Sequence, residues 1–247
     1  MADKTLIEWA DATWNPVLGC SVISPGCTNC YAMRLAGTRL KNSPSRRGLT
    51  HESKAGPVWN GEVRFMEEWL EQPLYWRRPR TIFVSAHGDL FHEKVLEDWL
   101  CRIFGVMSLA NWHRFIVLTK RSDAMADFLL CRLSGWPLPN VFVGISAEDQ
   151  TRFRERSMAV GRLRSAGWRT WASLEPLLGP VDISEFPGVY EWIVSGGESG
   201  VGARPDDPDW HRVIRDSCSA SRIPYFCKQM YKKGPIPDDL MVREFPV

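Results

Sequence analysis

The chain has 247 residues, enough for one large domain with a sizeable core or for two small domains. Its hydrophobic fraction of 44% and charged fraction of 24% are ordinary for a globular protein and exclude a low-complexity or fibrous chain. The formal net charge of +2 is too small to indicate nucleic-acid binding by itself.

No apolar run reaches the ~18 residues that a membrane-spanning helix needs. The first residues, "MADKTLIEWA", lack the basic flank and apolar core of a secretory signal. We therefore expect a cytoplasmic protein that does not engage a membrane. Because a reducing compartment disfavours disulfides, clustered cysteines indicate metal ligands or redox groups.

Three cysteines, Cys20, Cys27 and Cys30, lie within eleven residues of the first part of the chain. Thiolates bind soft metals, including zinc and iron–sulfur clusters. A structural zinc site takes four ligands, and His51, the nearest histidine, has no second Cys or His beside it, so zinc would need a remote ligand. A [4Fe–4S] cluster is commonly held by four cysteines, and three would leave one iron open to substrate or cofactor. The residues leave both readings open.

Residues 37–62 are rich in Gly, Ser, Pro and Arg, and they predict a long loop or lid. A basic stretch overlaps the start of this segment. It comprises Arg34, Arg39, Lys41, Arg46 and Arg47. From charge alone we favour a solvated loop, with a polyanion-binding face as the alternative.

Short apolar strands alternate with amphipathic segments through the rest of the chain. The predicted strands lie within residues 81–89, 114–122, 140–149, 169–177, 191–200 and 223–230. The predicted helices lie within 93–110, 122–135, 149–167 and 207–222. This alternation predicts an α/β fold with a parallel sheet. We expect a single-domain partial or closed parallel (β/α) barrel, TIM-like, over residues 1–247, with 14–36 at the barrel mouth and 232–247 as a tail.

Small or polar residues follow every predicted strand, and in such a barrel the strand ends converge on one face. The candidate binding residues at these ends are Ser85, Asp89, Lys120, Ser146, Glu148, Glu175, Gly196, Gly197 and Glu198, and Lys228 and Gln229 follow the last strand. Alternatives exist for four of these residues: Asp89 as the N-cap of the next helix, and Gly196–Glu198 as a tight turn with a solvated carboxylate.

The cysteine segment resembles the cluster-binding loop of radical S-adenosylmethionine (SAM) enzymes. The matching residues are Asn15, Pro16, Gly19, Cys20, Cys27, Cys30, Tyr31, Ala32 and Arg34. Two features depart from the family. Its usual spacing has three and then two residues between the cysteines, whereas this chain has six and then two. Its usual aromatic residue precedes the third cysteine, whereas here Asn29 stands there and Tyr31 follows.

The resemblance implies that the three cysteines hold a [4Fe–4S] cluster and are both its metal ligands and the catalytic centre. It implies reductive cleavage of SAM, hydrogen abstraction from a substrate, and a flavodoxin- or ferredoxin-like electron donor. Tyr31 and the strand-end residues would contact SAM, whose amino group such enzymes usually meet after the first strand beyond the cluster loop. That position holds Ser85 and Asp89 here. Radical SAM proteins often use Gly-Gly-Glu for this group, but here Gly196–Glu198 follows a late strand and would contact SAM or substrate.

The whole chain is similar to a phage and bacterial family of three-cysteine proteins. The shared segments include "GCSVISPGCTNCYA", "VGISAED", "SLEPLLGPV" and "FCKQM". With the basic stretch, this favours a nucleic acid or nucleotide as substrate, in a bacterial or phage-infected cell. The alternatives are a zinc- or iron–sulfur-stabilised nucleic-acid-binding protein without catalysis, and a metal-dependent hydrolase or nuclease that uses Asp89, Glu148, Glu175 and Glu198.

Overall fold

The structure, a computed structural model, describes residues 5–246, so the ends of the predicted domain and tail lie outside the described residues. The chain divides into two compact units. The first comprises Met1–Thr119 and Leu138–Phe142, and the second comprises Lys120–Pro137 and Val143–Val247.

The first unit contains seven strands and two α-helices in its described part. The strands are β1 (Ala12–Trp14), β2 (Val17–Leu18), β3 (Thr50–Ser53), β4 (Gly56–Trp59), β5 (Arg64–Phe65), β6 (Thr81–Val84) and β7 (Arg114–Thr119). The helices are α1 (Tyr31–Gly37) and α2 (Glu97–Leu109). Strand β6 lies between β1 and β7 and is parallel to both. Strands β2 and β5 form an antiparallel pair, and β3 and β4 form an antiparallel hairpin.

The second unit continues the alternation of helices and strands. Its elements are α3 (Ser122–Arg132), β8 (Val141–Ser146, which begins in the first unit), α4 (Gln150–Ser165), β9 (Arg169–Leu174), β10 (Trp192–Gly196), α5 (Pro208–Ser221) and β11 (Tyr225–Gln229). Strand β10 is parallel to both neighbours, β9 and β11.

Local sequence explains why α4 and α5 begin where they do. The carboxylate of Asp149 accepts the N–H of Arg152 at 2.9 Å, and that of Asp207 accepts the N–H of Asp209 at 2.9 Å. Both are N-caps that satisfy donors of the first helical turn. Pro208 stands at the first position of α5, where no N–H is needed.

The hydrogen-bonded strand order is β1-β6-β7-β8-β9-β10-β11, and the predicted α/β class with a parallel sheet is confirmed. Each of the six predicted strands is present. The segment predicted as a loop or lid contains the β3–β4 hairpin, because Thr50–Ser53 and Gly56–Trp59 pair across a two-residue turn. The lid role and the single domain stay predictions. Among the described residues, no helix is long and apolar enough to cross a membrane.

Candidate functional site

The three cysteines occupy one short segment of the first unit. Cys20 follows β2, Cys27 ends a 3-10 helix, and Cys30 directly precedes α1. Each is a half-buried thiol. The N–H of Cys30 donates to the carbonyl of Cys27 at 3.3 Å, so one turn holds these two residues together. Cys20 and Cys30 both pack against an apolar cluster that includes Leu18 and Met33. The segment therefore brings three sulfur donors to one part of the unit.

The turn after β6, residues 85–88, is bonded directly to this cysteine segment. The N–H of Gly19 donates to the carbonyl of His87 at 3.1 Å. The N–H of His87 donates to Oδ1 of Asn15 at 3.1 Å. On the other side, the hydroxyl of Tyr31 donates to the carbonyl of Ala86 at 2.7 Å. These bonds fix the start of the cysteine segment, its end and the turn to one another.

Two glycines allow close backbone contacts around this junction, Gly19 against Glu62 and Gly88 against Val17. Gly19 has φ +92°, and a Cβ there would lie 2.1 Å from the carbonyl oxygen of Glu62. A Cβ at Gly88 would lie 2.7 Å from the carbonyl oxygen of Val17. Side chains at either position would force the backbones apart, because such separations are far shorter than van der Waals contact.

Two buried polar atoms of the turn lack partners within residues 5–246. They are Oγ of Ser85 and Nδ1 of His87. Ser85 is 5% exposed and has φ +52°, a conformation that serine rarely adopts. Burial, and then the charge of Arg46, lowers the pKa of His87 to about 4, so the ring is neutral at pH 7. Since native proteins rarely leave buried polar atoms unbonded, these two atoms can take an ordered water or a polar ligand as partner.

Asp89 closes the other end of this turn region. Its Oδ1 accepts the hydroxyl of Thr119, at the end of β7, at 2.7 Å and the N–H of Phe91 at 3.0 Å. The alternative expectation of a cap for the next helix is wrong, because Leu96 stands at the N-cap position of α2. Contact of Asp89 or Ser85 with a cofactor stays a prediction.

The strand ends of the second unit form a separate polar group. Lys120 donates to the hydroxyl of Ser146, which donates to the carbonyl of Glu175 at 2.9 Å. The ammonium of Lys228 bonds both carboxylate oxygens of Glu175, at 2.6 and 2.8 Å. Gln229 donates to the carbonyl of Gly197 at 2.8 Å. The predicted residues Lys120, Ser146 and Glu175 are thus brought together, and Lys228 joins them.

Two other predicted carboxylates are buried against arginines. Glu148 is fully buried, and its Oε2 accepts Nη1 of Arg156 at 2.9 Å. Glu198 accepts Nη2 of Arg204 at 2.6 Å and Nε at 3.0 Å. The alternative expectation of a solvated Glu198 is wrong, because the residue is 5% exposed. Roles of Glu148 and Glu198 in binding a cofactor stay predictions.

A buried chain of hydrogen bonds lies beneath the Gly196–Glu198 turn. His211 lies 3.0 Å from Oδ2 of Asp206 through Nε2 and 2.7 Å from Oγ of Ser195 through Nδ1. Ser195 also lies 2.6 Å from the hydroxyl of Tyr225. Ser195 and His211 are fully buried, so this hydrogen-bond chain has a structural role and is not a nucleophilic site. A Cβ at Gly197 would lie 2.2 Å from Asp206, so the chain fixes this turn.

Burial lowers the pKa of His211, but the bond to Asp206 and the interaction with Cys227 outweigh it and raise the pKa to about 9. The imidazolium form therefore holds Asp206 in place at neutral pH. The sequence alone does not predict these hydrogen bonds. Ser195 lies inside an apolar strand and no motif joins it to His211, so only the fold reveals the contact.

Within residues 5–246, no three Cys, His, Asp or Glu side chains are arranged to hold a single metal ion. A zinc site needs its ligands to converge on one ion. In an iron–sulfur cluster each thiolate binds a different iron, so the sulfurs stand around the cluster rather than around one point. Three half-buried thiols in one segment fit that donor set.

A family model described as "Protein of unknown function (DUF5131)" matches residues 4–238. The chain belongs to the DUF5131 family. No curated protein matches the chain significantly. Membership of DUF5131 does not itself establish the phage and bacterial three-cysteine family, and that similarity stays a prediction.

Solved structures of spore photoproduct lyase resemble this DUF5131 chain. One is a double mutant with bound AdoMet and dinucleoside spore photoproduct, with a TM-score of 0.50 and 13% identity. The likeness covers 87% of this chain and 62% of that one. A mutant with one cysteine replaced by serine has a TM-score of 0.47, 13% identity and the same coverage. The chain therefore spans less than two thirds of these neighbours, and the likeness to the first shows the fold. The predicted partial, TIM-like parallel barrel is confirmed.

Proposed function

We propose that the protein is a radical SAM-type enzyme, in which Cys20, Cys27 and Cys30 hold a [4Fe–4S] cluster and SAM binds beside them. One observation carries this proposal. The cysteine segment is hydrogen-bonded to the turn 85–88, and that turn has two buried polar atoms without a partner in the described chain. A cofactor next to the three sulfurs would supply the missing partners.

The fold supports the same proposal at a coarser level. Spore photoproduct lyase is a radical SAM DNA repair enzyme, and one solved structure of it holds AdoMet. Because identity is 13%, this likeness concerns the fold. The cluster, SAM and the reaction belong to the proposal.

In this proposal, residues of the first unit hold the cluster and contact SAM. The three thiolates would hold the cluster. Ser85 and His87 orient the amino and carboxylate groups of SAM through Oγ and Nδ1. Tyr31, 49% exposed and hydrogen-bonded to Ala86, borders the open side of the turn. A bound cluster would supply one electron for reductive cleavage of SAM to methionine and a 5′-deoxyadenosyl radical, which would take a hydrogen atom from the substrate.

The polar group of the second unit is proposed to meet SAM or the substrate. Lys120, Ser146 and Glu175 form this group at the ends of strands. Gly196 and Gly197 would let a ligand approach the backbone closely, because glycine has no side chain. The substrate is proposed to be a nucleic acid or nucleotide, and a flavodoxin- or ferredoxin-like protein is proposed as electron donor. We propose a cytoplasmic location.

Three of the four carboxylates of the hydrolase alternative are paired with the protein's own cations, and Asp89 is hydrogen-bonded to Thr119 and Phe91. Glu148 bonds Arg156, Glu175 bonds Lys228, and Glu198 bonds Arg204. Carboxylates neutralised in this way are poor ligands for a catalytic cation, because the protein's own cations occupy their oxygens. Metal content distinguishes the zinc-stabilised binding protein from the enzyme, because the first would hold zinc and the second would hold iron.

Metal analysis of a matched pair of variants tests the proposal. After anaerobic reconstitution, we expect about four irons per chain in the unchanged protein. Cys20→Ala is expected to lose most of this iron. Cys101→Ala, which changes an exposed cysteine of α2, is expected to keep it. Equal iron in both variants, or one zinc and no iron in the unchanged protein, would refute the proposal.

A further inference from the structure

We propose that a cavity in the first unit binds a nucleotide of a single-stranded nucleic acid, with arginines at its phosphate and aromatic rings at its base. The lining includes Ser45, Arg64, Phe65 and Trp69, and the volume is about 470 Å³. This volume is within the range of small-ligand pockets. The inference deepens the proposed function by saying where a nucleic acid is held, and it rests on that function only for the nucleic acid being the substrate.

The segment that borders the cavity carries an excess of positive charge. Residues 34–64 contain seven Lys or Arg and two Glu. Lysines neutralise both carboxylates, and the pairs are Glu52 with Lys41 at 2.7 Å and Glu62 with Lys94 at 2.5 Å. Among the described residues, no carboxylate forms an ion pair with Arg46, Arg47 or Arg64. Such a group of cations attracts a polyanion.

Hydrogen bonds hold these three arginines at the cavity. Arg64, in the lining, donates to the carbonyl of Arg47 at 2.9 Å and to a second carbonyl at 2.6 Å. Arg46 donates through Nη1 to the hydroxyl of Ser45 at 2.6 Å, and its guanidinium carbon lies 5.4 Å from the ring centroid of Trp69. Ser45 and Trp69 both line the cavity. Carbonyl and hydroxyl oxygens satisfy these donors but do not neutralise the charge, which a phosphate would do.

Aromatic rings provide the apolar part of the lining. Phe65 stacks on Trp99, with ring centroids 5.1 Å apart and planes 14° from parallel. Trp69 packs against the apolar cluster of the unit, and its carbonyl accepts Nε1 of Trp14 at 2.8 Å. Phe65 and Trp69 are half-buried, so packing fixes each residue while it still lines the cavity.

This combination of groups matches a single strand. Unpaired bases stack on aromatic rings and on guanidinium planes, and arginine binds the phosphates between them. The bases of a duplex are already stacked on one another, and an inorganic polyanion has no base. Both would therefore use the arginines without the rings.

One carboxylate, Glu68, also lines the cavity. It is exposed and forms no ion pair within residues 5–246. Its charge would repel a phosphate bound at Arg64. Removing this charge should therefore strengthen binding, which a loss of structure could not imitate.

The test is fluorescence anisotropy of the full-length protein with labelled oligothymidylate and oligouridylate of about twelve nucleotides. We expect Arg64→Gln to weaken binding of the preferred strand about tenfold and to reduce its salt slope by about 0.7. Arg64→Lys keeps the charge but loses the planar donors, so an intermediate loss is expected. Glu68→Gln should strengthen binding about two- to fivefold.

Arg78→Gln is the matched control. Arg78 is an exposed arginine of the same unit and forms no ion pair in the described chain, so the substitution removes the same charge away from the cavity lining. A change in affinity within about twofold is expected for it.

Each outcome decides the question. A loss with Arg64→Gln and a gain with Glu68→Gln, beside an unchanged Arg78→Gln, support the cavity. Binding of neither strand, equal effects of Arg64→Gln and Arg78→Gln, or no effect of Glu68→Gln would overturn it. Equal affinity for a duplex or for inorganic polyphosphate of matched length would also overturn it, because the rings would then contribute nothing.

Iron measured in the same samples separates this inference from the proposed function. Protein that holds no iron but binds the strand as described refutes the enzyme proposal and leaves the cavity standing. Iron-loaded protein that does not bind either strand refutes the cavity and leaves the enzyme proposal standing.

Discussion

The backbone N–H of Gly19 donates to the carbonyl of His87 across 3.1 Å, which fixes the residue before Cys20 to the turn after β6. The turn can approach the segment this closely because Gly88 carries no Cβ, which would lie 2.7 Å from the carbonyl oxygen of Val17. The first cysteine is thereby held next to the turn that has unpartnered Oγ and Nδ1 atoms. Cluster ligand and cofactor contact would thus share one rigid junction.

Replacing Gly19 should disturb this junction more than replacing a glycine in open space. Gly19→Ala is expected to lower the free energy of unfolding by roughly 2–5 kcal/mol, since it adds backbone strain to a clash with Glu62. Gly48→Ala is the control, because Gly48 has φ +79° with nothing near its Cβ position, and it should cost about 1–2 kcal/mol. Urea unfolding measures both values, and equal losses would contradict the account.

Ser85 should matter for the ligand and not for the fold. Its Oγ is buried without a partner in the described chain, so Ser85→Ala removes no internal hydrogen bond. We expect the thermal midpoint without ligand to be unchanged or slightly raised, and SAM affinity to fall about three- to tenfold. Calorimetry and a thermal scan measure the two quantities. A large loss of stability with unchanged SAM affinity would show that Ser85 is structural.

The buried pair of Glu148 and Arg156 should be sensitive to loss of one partner. Arg156→Met removes the cation that is hydrogen-bonded to a fully buried carboxylate, and we expect a loss of roughly 3–5 kcal/mol in the free energy of unfolding. Arg162→Met on the same helix removes an exposed cation 3.6 Å from Asp123 and should cost at most about 1 kcal/mol. Similar losses in the two variants would argue against a structural role for Glu148.

His211 should make stability depend on pH in the alkaline range. Its pKa is about 9 in the folded chain against an ordinary value of 6.5, so the folded chain binds the proton more tightly. The contribution is therefore fully present below pH 6.5 and is lost as pH rises towards 9. We expect it to reach on the order of 3 kcal/mol.

Unfolding of the unchanged protein and of His211→Gln at about pH 6 and about pH 9 checks this. The stability difference between the two proteins should be larger at the lower pH. A difference that grows with pH would contradict a raised pKa and hence the protonated link to Asp206.

Sequence patterns predicted the sheet where strands are buried on both faces. Ile82–Val84, Phe115–Val117 and Val141–Ile145 are continuous apolar or small runs, and such runs are typical of parallel strands. β1 was missed because its three residues are too few for any pattern. α1 was missed because seven residues beside a cysteine cluster show no clear helical period.

The sequence predicts the part of the site that lies at the ends of the parallel strands. Lys120, Ser146 and Glu175 meet because the ends of parallel strands share one edge. The contact between Ser195 and His211, and the action of Arg46 on His87, join residues that no motif links. Only the packing of the fold reveals which buried atoms have partners.

The most direct test of the central proposal is electron paramagnetic resonance of the anaerobically reconstituted, reduced protein with and without SAM. We predict a [4Fe–4S] signal that changes when SAM is added, because three cysteines leave one iron open to a ligand. A signal that SAM leaves unchanged, or protein that holds no iron, would contradict it.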